Sequence, residues 1–304
     1  MWDGLSDNTR NAYSTGYRSY LRLMFTARIA NPLPATEDHT CLWLASMHRA
    51  GLKFSTVKNY LYGLRSAHID IGVVWSVQHS KRVERMYRGI KRVQGVASTV
   101  RPRLPITFTV LRSFDRFLDL TRPDHRLLRA MLWVGTSGLF RIGEFAINSA
   151  RSPDRNRLLT IASLKQLQID PPVIAIHLRA SKTDIYRKEV DVRIANRTAI
   201  RALSSYLSQR TTPLTNTSPL FAFDDGTPVT RKSLLATTTK LLTASGIDMS
   251  KHSGVSFRRG GATSLSIAGV EDRIIKIFGR WESWAYERYI ETPLQQWIDS
   301  TQSL

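Results

Sequence analysis

The sequence has few cysteines, few acidic residues and no long apolar run, and each shortage excludes a class of protein. Cys41 is the only cysteine among 304 residues, so neither an intrachain disulfide nor a cysteine-based zinc site can form. That composition suits a reducing compartment. Because no apolar run reaches about eighteen residues, no membrane-spanning helix is expected. The first residues lack a basic stretch followed by an apolar one, so no signal peptide is expected either.

Acidic residues are heavily outnumbered by basic ones. The chain has 44 Lys and Arg against 24 Asp and Glu, which gives a net charge of +20 and a pI near 10.6. A surplus of this size repels itself, and a polyanionic partner would neutralise it. Nucleic acid is the leading candidate, because cations that contact phosphates also release condensed counterions. A basic protein of another kind, such as a ribosomal one, would carry the same charge.

Several motifs of common enzyme classes are also missing. The sequence has no Walker-type glycine loop, no His-Glu-x-x-His and no Gly-x-Ser-x-Gly. It also lacks the clustered Asp and Glu residues typical of metal-dependent nucleases. We therefore expect neither a metal nor an organic cofactor.

The first hundred residues predict a basic helical domain. Apolar side chains recur at helical spacing after Ser6, over residues 37–50, from Ser55 onwards and over residues 81–92. Up to Pro105 there are 16 basic and 6 acidic residues, which favours a phosphate-facing surface over a merely solvated one. The side chains that we assign to DNA contact here are Lys58, Arg65, Lys81, Arg82, Arg85, Arg88, Lys91 and Arg92.

A second domain of mixed secondary structure is predicted after a proline-containing linker at residues 99–105. The domains would then cover residues 1–98 and 106–304. Helices are predicted over residues 109–120, 124–136, 142–147, 197–210, 230–245, 256–268, 272–278 and 284–291. Strands are predicted over residues 158–161, 173–180 and 189–194, with a hairpin turn at 181–188. The fold class is mainly α, with an α+β second domain that contains a small antiparallel sheet.

Five short segments carry side chains suited to phosphodiester chemistry without a metal. Such chemistry needs a nucleophile, cations that stabilise the pentavalent phosphorus, and an acid for the leaving oxygen. The segments are SGLFRIGEF at 137–145, SKTD at 181–184, SFRRGGATSL at 256–265, FGRW at 278–281 and RYI at 288–290. In this order and at these intervals they resemble the tyrosine recombinase (phage integrase) superfamily, and most of all the crypton and DIRS-like recombinases of eukaryotic mobile elements.

The resemblance implies a role for each matching residue. Arg141 and Arg258 would clamp the scissile phosphate, Lys182 would protonate the leaving 5′ oxygen, and Tyr289 would attack phosphorus. Tyr286, one turn earlier, is the competing nucleophile. Each residue also has a plainer interpretation, since lysines at turns are usually solvated and aromatic residues on helices usually pack in the core.

Arginine and glycine neighbours of these residues need their own interpretation. Arg141 and Glu144 could form an ordinary helical ion pair at i, i+3. Gly260 and Gly261 weaken an otherwise helical pattern, and a close approach of the backbone to DNA would explain them. Arg259 would point about 100° away from its neighbour on a helix, so we expect it to support the site or to contact the DNA backbone.

Two positions depart from the family pattern. The family usually has a histidine three residues before the second arginine, where this chain has Val255, and His252 is the candidate substitute. The second histidine position, directly after Gly279, holds Arg280, with Trp281 next. Spacing favours Arg280, whereas side-chain chemistry favours Trp281, whose indole N–H can donate to a phosphate oxygen. Both remain candidates at this point.

By resemblance, the chain has a helical core-binding (SAM-like) domain and a recombinase catalytic domain. It would cleave and rejoin double-stranded DNA through a 3′-phosphotyrosyl link. It would act as a homodimer on one site and a homotetramer in the synaptic complex, exchanging C-terminal segments such as 293–304. The expected location is the nucleus if the source is eukaryotic, and otherwise the cytoplasm. A DNA-binding protein derived from a recombinase that no longer cuts, and a type IB topoisomerase, are the alternatives.

Overall fold

The structure, a computed structural model, describes residues 4–95, 103–151, 153–154, 156–179 and 189–291. The chain divides into two compact units, Met1–Arg101 and Pro102–Leu304, called here the first and second units. Most of the predicted linker, the predicted hairpin turn with Lys182, and residues 293–304 lie outside the described residues. In the described part, no helix combines the length and apolar character needed to span a membrane.

The first unit is built from helices whose starts are visible in the sequence. Its helices are α1 (Asp7–Thr26), α2 (Glu37–Arg49), α3 (Phe54–Asp70) and α4 (Lys81–Gln94). The side chains of Ser6, Thr36 and Ser80 accept backbone N–H groups at the starts of α1, α2 and α4, which satisfies donors that a helix leaves unpaired. The core of the unit forms around Trp43, with the ring of Tyr20 packed edge-on against its indole.

The second unit surrounds a three-stranded sheet with helices. The helices are α5 (Phe108–Asp115), α6 (Pro123–Ser137), α7 (Ile142–Phe145), α8 (Arg197–Ser208), α9 (Arg231–Ala244), α10 (Ser256–Ile267) and α11 (Asp272–Phe278). The strands are β1 (Leu164–Gln168), β2 (Val173–Leu178) and β3 (Val190–Ile194), antiparallel in the order β1-β2-β3. The predicted fold class, mainly helical with a small antiparallel sheet, is confirmed.

Several predicted boundaries in the second unit are wrong. The strand predicted at 158–161 is replaced by a 3-10 turn over Ile161–Ser163, and the first strand lies instead at Leu164–Gln168. That strand reads LKQLQ and is largely exposed, so it lacks the apolar run that marks the other two strands. The helix predicted at 109–120 ends at Asp115, and the helix predicted at 284–291 is a 3-10 helix over Trp284–Tyr289.

The two glycines of α10 serve protein packing, so the expectation that they bring the backbone close to DNA is wrong. A Cβ atom on Gly260 would lie 1.8 Å from the carbonyl oxygen of Ile106, and one on Gly261 would lie 2.2 Å from that of Thr136. Neither site has room for a side chain. The glycines therefore let α10 pack directly against the end of α6 and the segment before α5, which fixes the position of Arg258.

Candidate active site

Arg141 lies in the turn that leads from α6 into α7 and is the N-cap residue of α7. Its backbone N–H donates to Glu144 Oε2 at 2.8 Å, and its Nη1 donates to Glu144 Oε1 at 2.8 Å. The ion pair considered from the sequence therefore exists, but the carboxylate is almost fully buried, with 4% of the side chain exposed. Glu144 thus holds both the backbone and the guanidinium of Arg141 in place.

Arg280 shares the same carboxylate from the opposite end of the site. Its Nη2 donates to Glu144 Oε2 at 2.9 Å and to the carbonyl oxygen of Leu139 at 3.2 Å, and its Nη1 donates to Gly138 O at 3.1 Å. Burial lowers the pKa of Arg280, and the negative charge of Glu144 opposes this shift. The side chain is therefore directed into the protein.

Arg258 is the most unusual group in the site, since it is charged and only 1% exposed. Its Nη2 donates to the carbonyl oxygen of Gly279, whereas its Nε and Nη1 have no hydrogen-bond partner among the described residues. Burial, together with the like charges of Arg141 and Arg280, lowers the pKa of Arg258 to about 9. Buried cations are normally paired with an anion. The arrangement therefore leaves donor capacity and positive charge for a ligand.

Two aromatic rings adjoin this cation. The Trp281 ring centroid lies 4.3 Å from Cζ of Arg258, and the Tyr289 ring centroid lies 5.6 Å from the same atom. The two rings are 5.0 Å apart. Trp281 is thus the residue that shares the pocket with Arg258 and Tyr289, and Arg280 is not. The structure favours Trp281 for the position that the spacing alone had left open.

The segment that carries Tyr289 is held by α10, through contacts that the sequence gave no reason to expect. Arg259 Nη1 donates to the carbonyl oxygen of Arg288, and its Nη2 lies 3.8 Å from Glu291 Oε2. One turn later, Thr263 Oγ1 donates to Tyr289 O at 3.3 Å and accepts the Glu291 N–H at 3.1 Å. Arg259 is buried, which corrects its assignment to DNA contact in favour of the supporting role.

Three further residues are considered for roles in the site: Tyr286 as the nucleophile, and His252 and Val255 for the missing histidine. Tyr286 is 2% exposed and its hydroxyl lies 3.4 Å from Asp272 Oδ2, so it is less available as a nucleophile than Tyr289. His252 Nδ1 hydrogen-bonds to Asp248 O at 2.9 Å within its own turn. Val255 is the N-cap residue of α10 and is 37% exposed. Among the described residues, no side-chain hydrogen bond or ion pair joins either Val255 or His252 to Arg258.

The basic side chains that we assigned to DNA contact in the first unit are all exposed: Lys58, Arg65, Lys81, Arg82, Arg85, Arg88, Lys91 and Arg92. Helix α4 buries Val83 and Ile90 and directs its charges outward. Some of these charges are neutralised locally, since Arg82 Nη1 lies 2.5 Å from Asp38 Oδ1 and Arg88 Nη2 lies 2.6 Å from Glu84 Oε1. The remainder leaves a strongly basic helical surface.

The positive charges of the second unit's site, among the described residues, come from arginines. In the described part of the chain, no three His, Cys, Asp or Glu side chains gather in a way that could hold a metal ion. Arg141, Arg258 and Trp281 can instead supply N–H donors to an anion, and Tyr289 supplies a hydroxyl beside them. Such a set can bind a phosphate group and stabilise additional negative charge on it. Lys182 lies outside the described residues.

Comparison with known proteins shows a likeness of structure and not of sequence. Neither the models of known protein families nor the sequences of curated proteins match the chain. Among solved structures, the chain is similar to the XerH site-specific recombinase bound to palindromic difH substrate, with a TM-score of 0.66 and 18% identity over 96% of this chain and 78% of that one. It is also similar to the Tn1549 transposon integrase bound to transposon right end DNA, with a TM-score of 0.63 and 15% identity over 99% and 94%. These likenesses show that the chain has the tyrosine recombinase fold.

Proposed function

We propose that the chain is a site-specific DNA recombinase that cleaves and rejoins double-stranded DNA through a covalent link to Tyr289. The observation that carries the proposal is the buried guanidinium of Arg258, which has two unpartnered nitrogens and lies 5.6 Å from the Tyr289 ring. Within the described residues this cation forms no ion pair, and the anionic phosphodiester of DNA would supply one. The DNA-bound recombinases of similar fold support the same substrate class.

In the proposed reaction, the Tyr289 hydroxyl gives its proton to a base, either water or His252, its oxygen attacks phosphorus, and the bond from phosphorus to the 5′ oxygen breaks. The products are a 3′-phosphotyrosyl link and a free 5′ hydroxyl. Arg141, Arg258 and Trp281 stabilise the charge of the pentavalent state, and Lys182 donates the proton that the leaving oxygen takes up. The 5′ hydroxyl of a partner strand then reverses the step. Since the covalent link conserves the bond energy, neither ATP nor a metal is consumed.

The wider biological role extends this proposal. By its resemblance to crypton and DIRS-like recombinases, the chain would excise and integrate a mobile element in the nucleus. It would bind one DNA site as a homodimer and join two sites as a homotetramer. The basic surface of the first unit would hold the DNA backbone.

The experiment is a search for the covalent intermediate. Duplexes that the protein selects from a random library would be nicked near the binding site, incubated with the protein and resolved by denaturing electrophoresis. We expect a protein–DNA adduct with the parent and with Tyr286→Phe, and none with Tyr289→Phe, whose DNA affinity should be nearly unchanged because only the attacking oxygen is lost. An adduct that persists in Tyr289→Phe and vanishes in Tyr286→Phe would move the nucleophile.

A DNA-binding protein that no longer cuts is the second candidate, favoured by the absence of a histidine at Val255. Under that function the parent would bind the selected duplexes and form no adduct. A type IB topoisomerase would share the tyrosine chemistry but would relax supercoiled plasmid as a monomer. Plasmid relaxation and the oligomeric state on DNA separate this third possibility from a recombinase.

A further inference from the structure

Two turns of the second unit hold non-glycine residues in the left-handed region of backbone conformation. Leu139 has φ 48° in the turn between α6 and Arg141, and Arg280 has φ 57° in the turn between α11 and Trp281. This conformation costs a residue with a side chain about 1 kcal/mol or more. Both turns carry residues of the proposed site, so the contacts that hold them there affect the site directly.

A single guanidinium connects these two turns. The Arg280 side chain donates to Gly138 O and Leu139 O in the first turn, and to Phe278 O at 3.3 Å in its own turn. It also donates to Glu144 Oε2, the carboxylate oxygen that accepts the backbone N–H of Arg141. No other side chain in the described residues makes this set of contacts. Arg280 therefore links the Arg141 turn to the Trp281 turn.

The conformation of Arg280 also determines where the next residue lies. The Trp281 indole covers Gly279 so closely that a Cβ atom there would lie 1.5 Å from Cζ3 of the ring. The same ring stacks over the Arg258 guanidinium. If the Arg280 turn relaxed to an ordinary backbone conformation, the indole would lose this position. The Nη1 and Nη2 atoms of Arg280 make all four of its side-chain hydrogen bonds, so only its buried Nε is left without a partner.

We propose that Arg280 is a positioning residue that fixes Arg141 and Trp281 relative to each other through Glu144, and that it does not contact the scissile phosphate. The inference rests on the proposed function for its catalytic consequence. The proposal gives two adjacent residues different roles. Trp281 would contact the phosphate, whereas Arg280 would hold the backbone of the turn in place. Arg280 acts through other residues, so its loss should slow the reaction without weakening DNA binding.

The test combines kinetics with a spectroscopic signal that does not depend on cleavage. The variants are Arg280→Met, Arg280→Lys, Glu144→Gln and the double variant that combines Arg280→Met with Glu144→Gln. Arg210→Met is the matched control. Arg210 donates to the carbonyl oxygen of Pro219 and has a buried, unpartnered Nε, but it has no contact with the site. The protein would be labelled with 5-fluorotryptophan, and the Trp281 resonance would be assigned from Trp281→Phe.

We expect Arg280→Met to lower the single-turnover cleavage rate by about 10- to 100-fold, the scale of a small displacement of reacting groups, with the Kd for DNA within about twofold. The Trp281 fluorine resonance should shift or broaden in this variant and stay unchanged in Arg210→Met. Arg280→Lys, which keeps a donor to Glu144, should recover part of the rate. The double variant, Arg280→Met with Glu144→Gln, should lose less than the product of the two single losses, because both substitutions break the Arg280–Glu144 contact.

The proposal would be overturned by an unchanged Trp281 resonance in both Arg280→Met and Arg280→Lys. Rate losses that multiply fully in the double variant would also overturn it, since they would show that Arg280 does not act through Glu144. If the parent forms no covalent adduct, the proposed function fails instead. The fluorine resonance then still decides whether Arg280 positions Trp281.

Discussion

Replacing Arg258 by methionine removes a buried cation from the second unit and tests whether its charge is kept for a ligand. Burial and the neighbouring arginines lower the pKa of Arg258 to about 9. One pKa unit corresponds to about 1.4 kcal/mol, so the charge costs the folded protein about 5 kcal/mol as an upper bound at neutral pH. The variant also loses the hydrogen bond to Gly279 O and the contact with Trp281, worth about 2 kcal/mol each.

The difference limits the net gain for Arg258→Met to at most about 1 kcal/mol, which corresponds to a rise in Tm of at most roughly 2 to 4 °C for a unit of this size. Calorimetry in a buffer without multivalent anions measures this difference in Tm between Arg258→Met and the parent. The sign with pH is fixed: above about pH 9 the folded protein binds fewer protons than the unfolded chain. The cost is therefore full below pH 9 and declines above it, so the Tm difference between variant and parent should shrink at high pH.

In the second part of the experiment, sulfate is added as an anion that resembles a phosphate group. A ligand that binds only the folded state stabilises it by RT ln(1 + [L]/Kd), about 2.7 kcal/mol at a hundred times Kd. We expect sulfate to raise the Tm of the parent more than that of Arg258→Met. If the variant is instead destabilised by several kcal/mol without sulfate, and sulfate stabilises both proteins equally, then Arg258 is a structural cation of the core and the reasoning fails.

Three further predictions follow from the site and the charge distribution. EDTA should leave cleavage unchanged, because arginines supply the positive charge; strict dependence on Mg²⁺ would refute the mechanism. DNA affinity should fall by roughly three decades between 50 and 200 mM salt for six or more phosphate contacts, and replacing Arg85 and Arg92 by alanine should reduce the salt slope by about two; a flat response would assign the charge to another partner. Val255→Ala should change single-turnover cleavage little, whereas Val255→His, at a position that is 37% exposed, should accelerate it by adding a base; a rate lost in His252→Ala would make His252 the base.

Much of the fold follows from local sequence signals, and its failures have physical causes. The helices predicted at 37–50 and 272–278 match Glu37–Arg49 and Asp272–Phe278, because their apolar residues recur at helical spacing. Strands β2 and β3 were predicted from their apolar content, whereas β1 is exposed along most of its length and reads like a loop. A strand whose formation depends on its neighbour gives no signal of its own in the sequence.

Tertiary contact decided the points that one-dimensional spacing had left open. Two adjacent glycines in a helix indicate a close approach of the backbone to something, but the sequence does not say to what. Here the partners are the carbonyl oxygens of Ile106 and Thr136, contributed by segments more than a hundred residues away. Burial of Arg259 likewise depends on the distant Arg288 and Glu291. Such contacts are defined only after the helices have packed.

The choice between Arg280 and Trp281 shows the same limit at the scale of one residue. Gapless spacing points to Arg280 and side-chain chemistry to Trp281, so the sequence leaves both residues open. In the structure Arg280 has a positive φ, its side chain contacts Glu144, and the following indole lies over the Arg258 guanidinium. That φ is held by carbonyl oxygens of Gly138 and Leu139, so the side chain beside the proposed nucleophile is selected by a turn about 140 residues earlier in the chain. A spacing argument counts positions along the chain, and it has no access to a torsion angle that a remote turn determines.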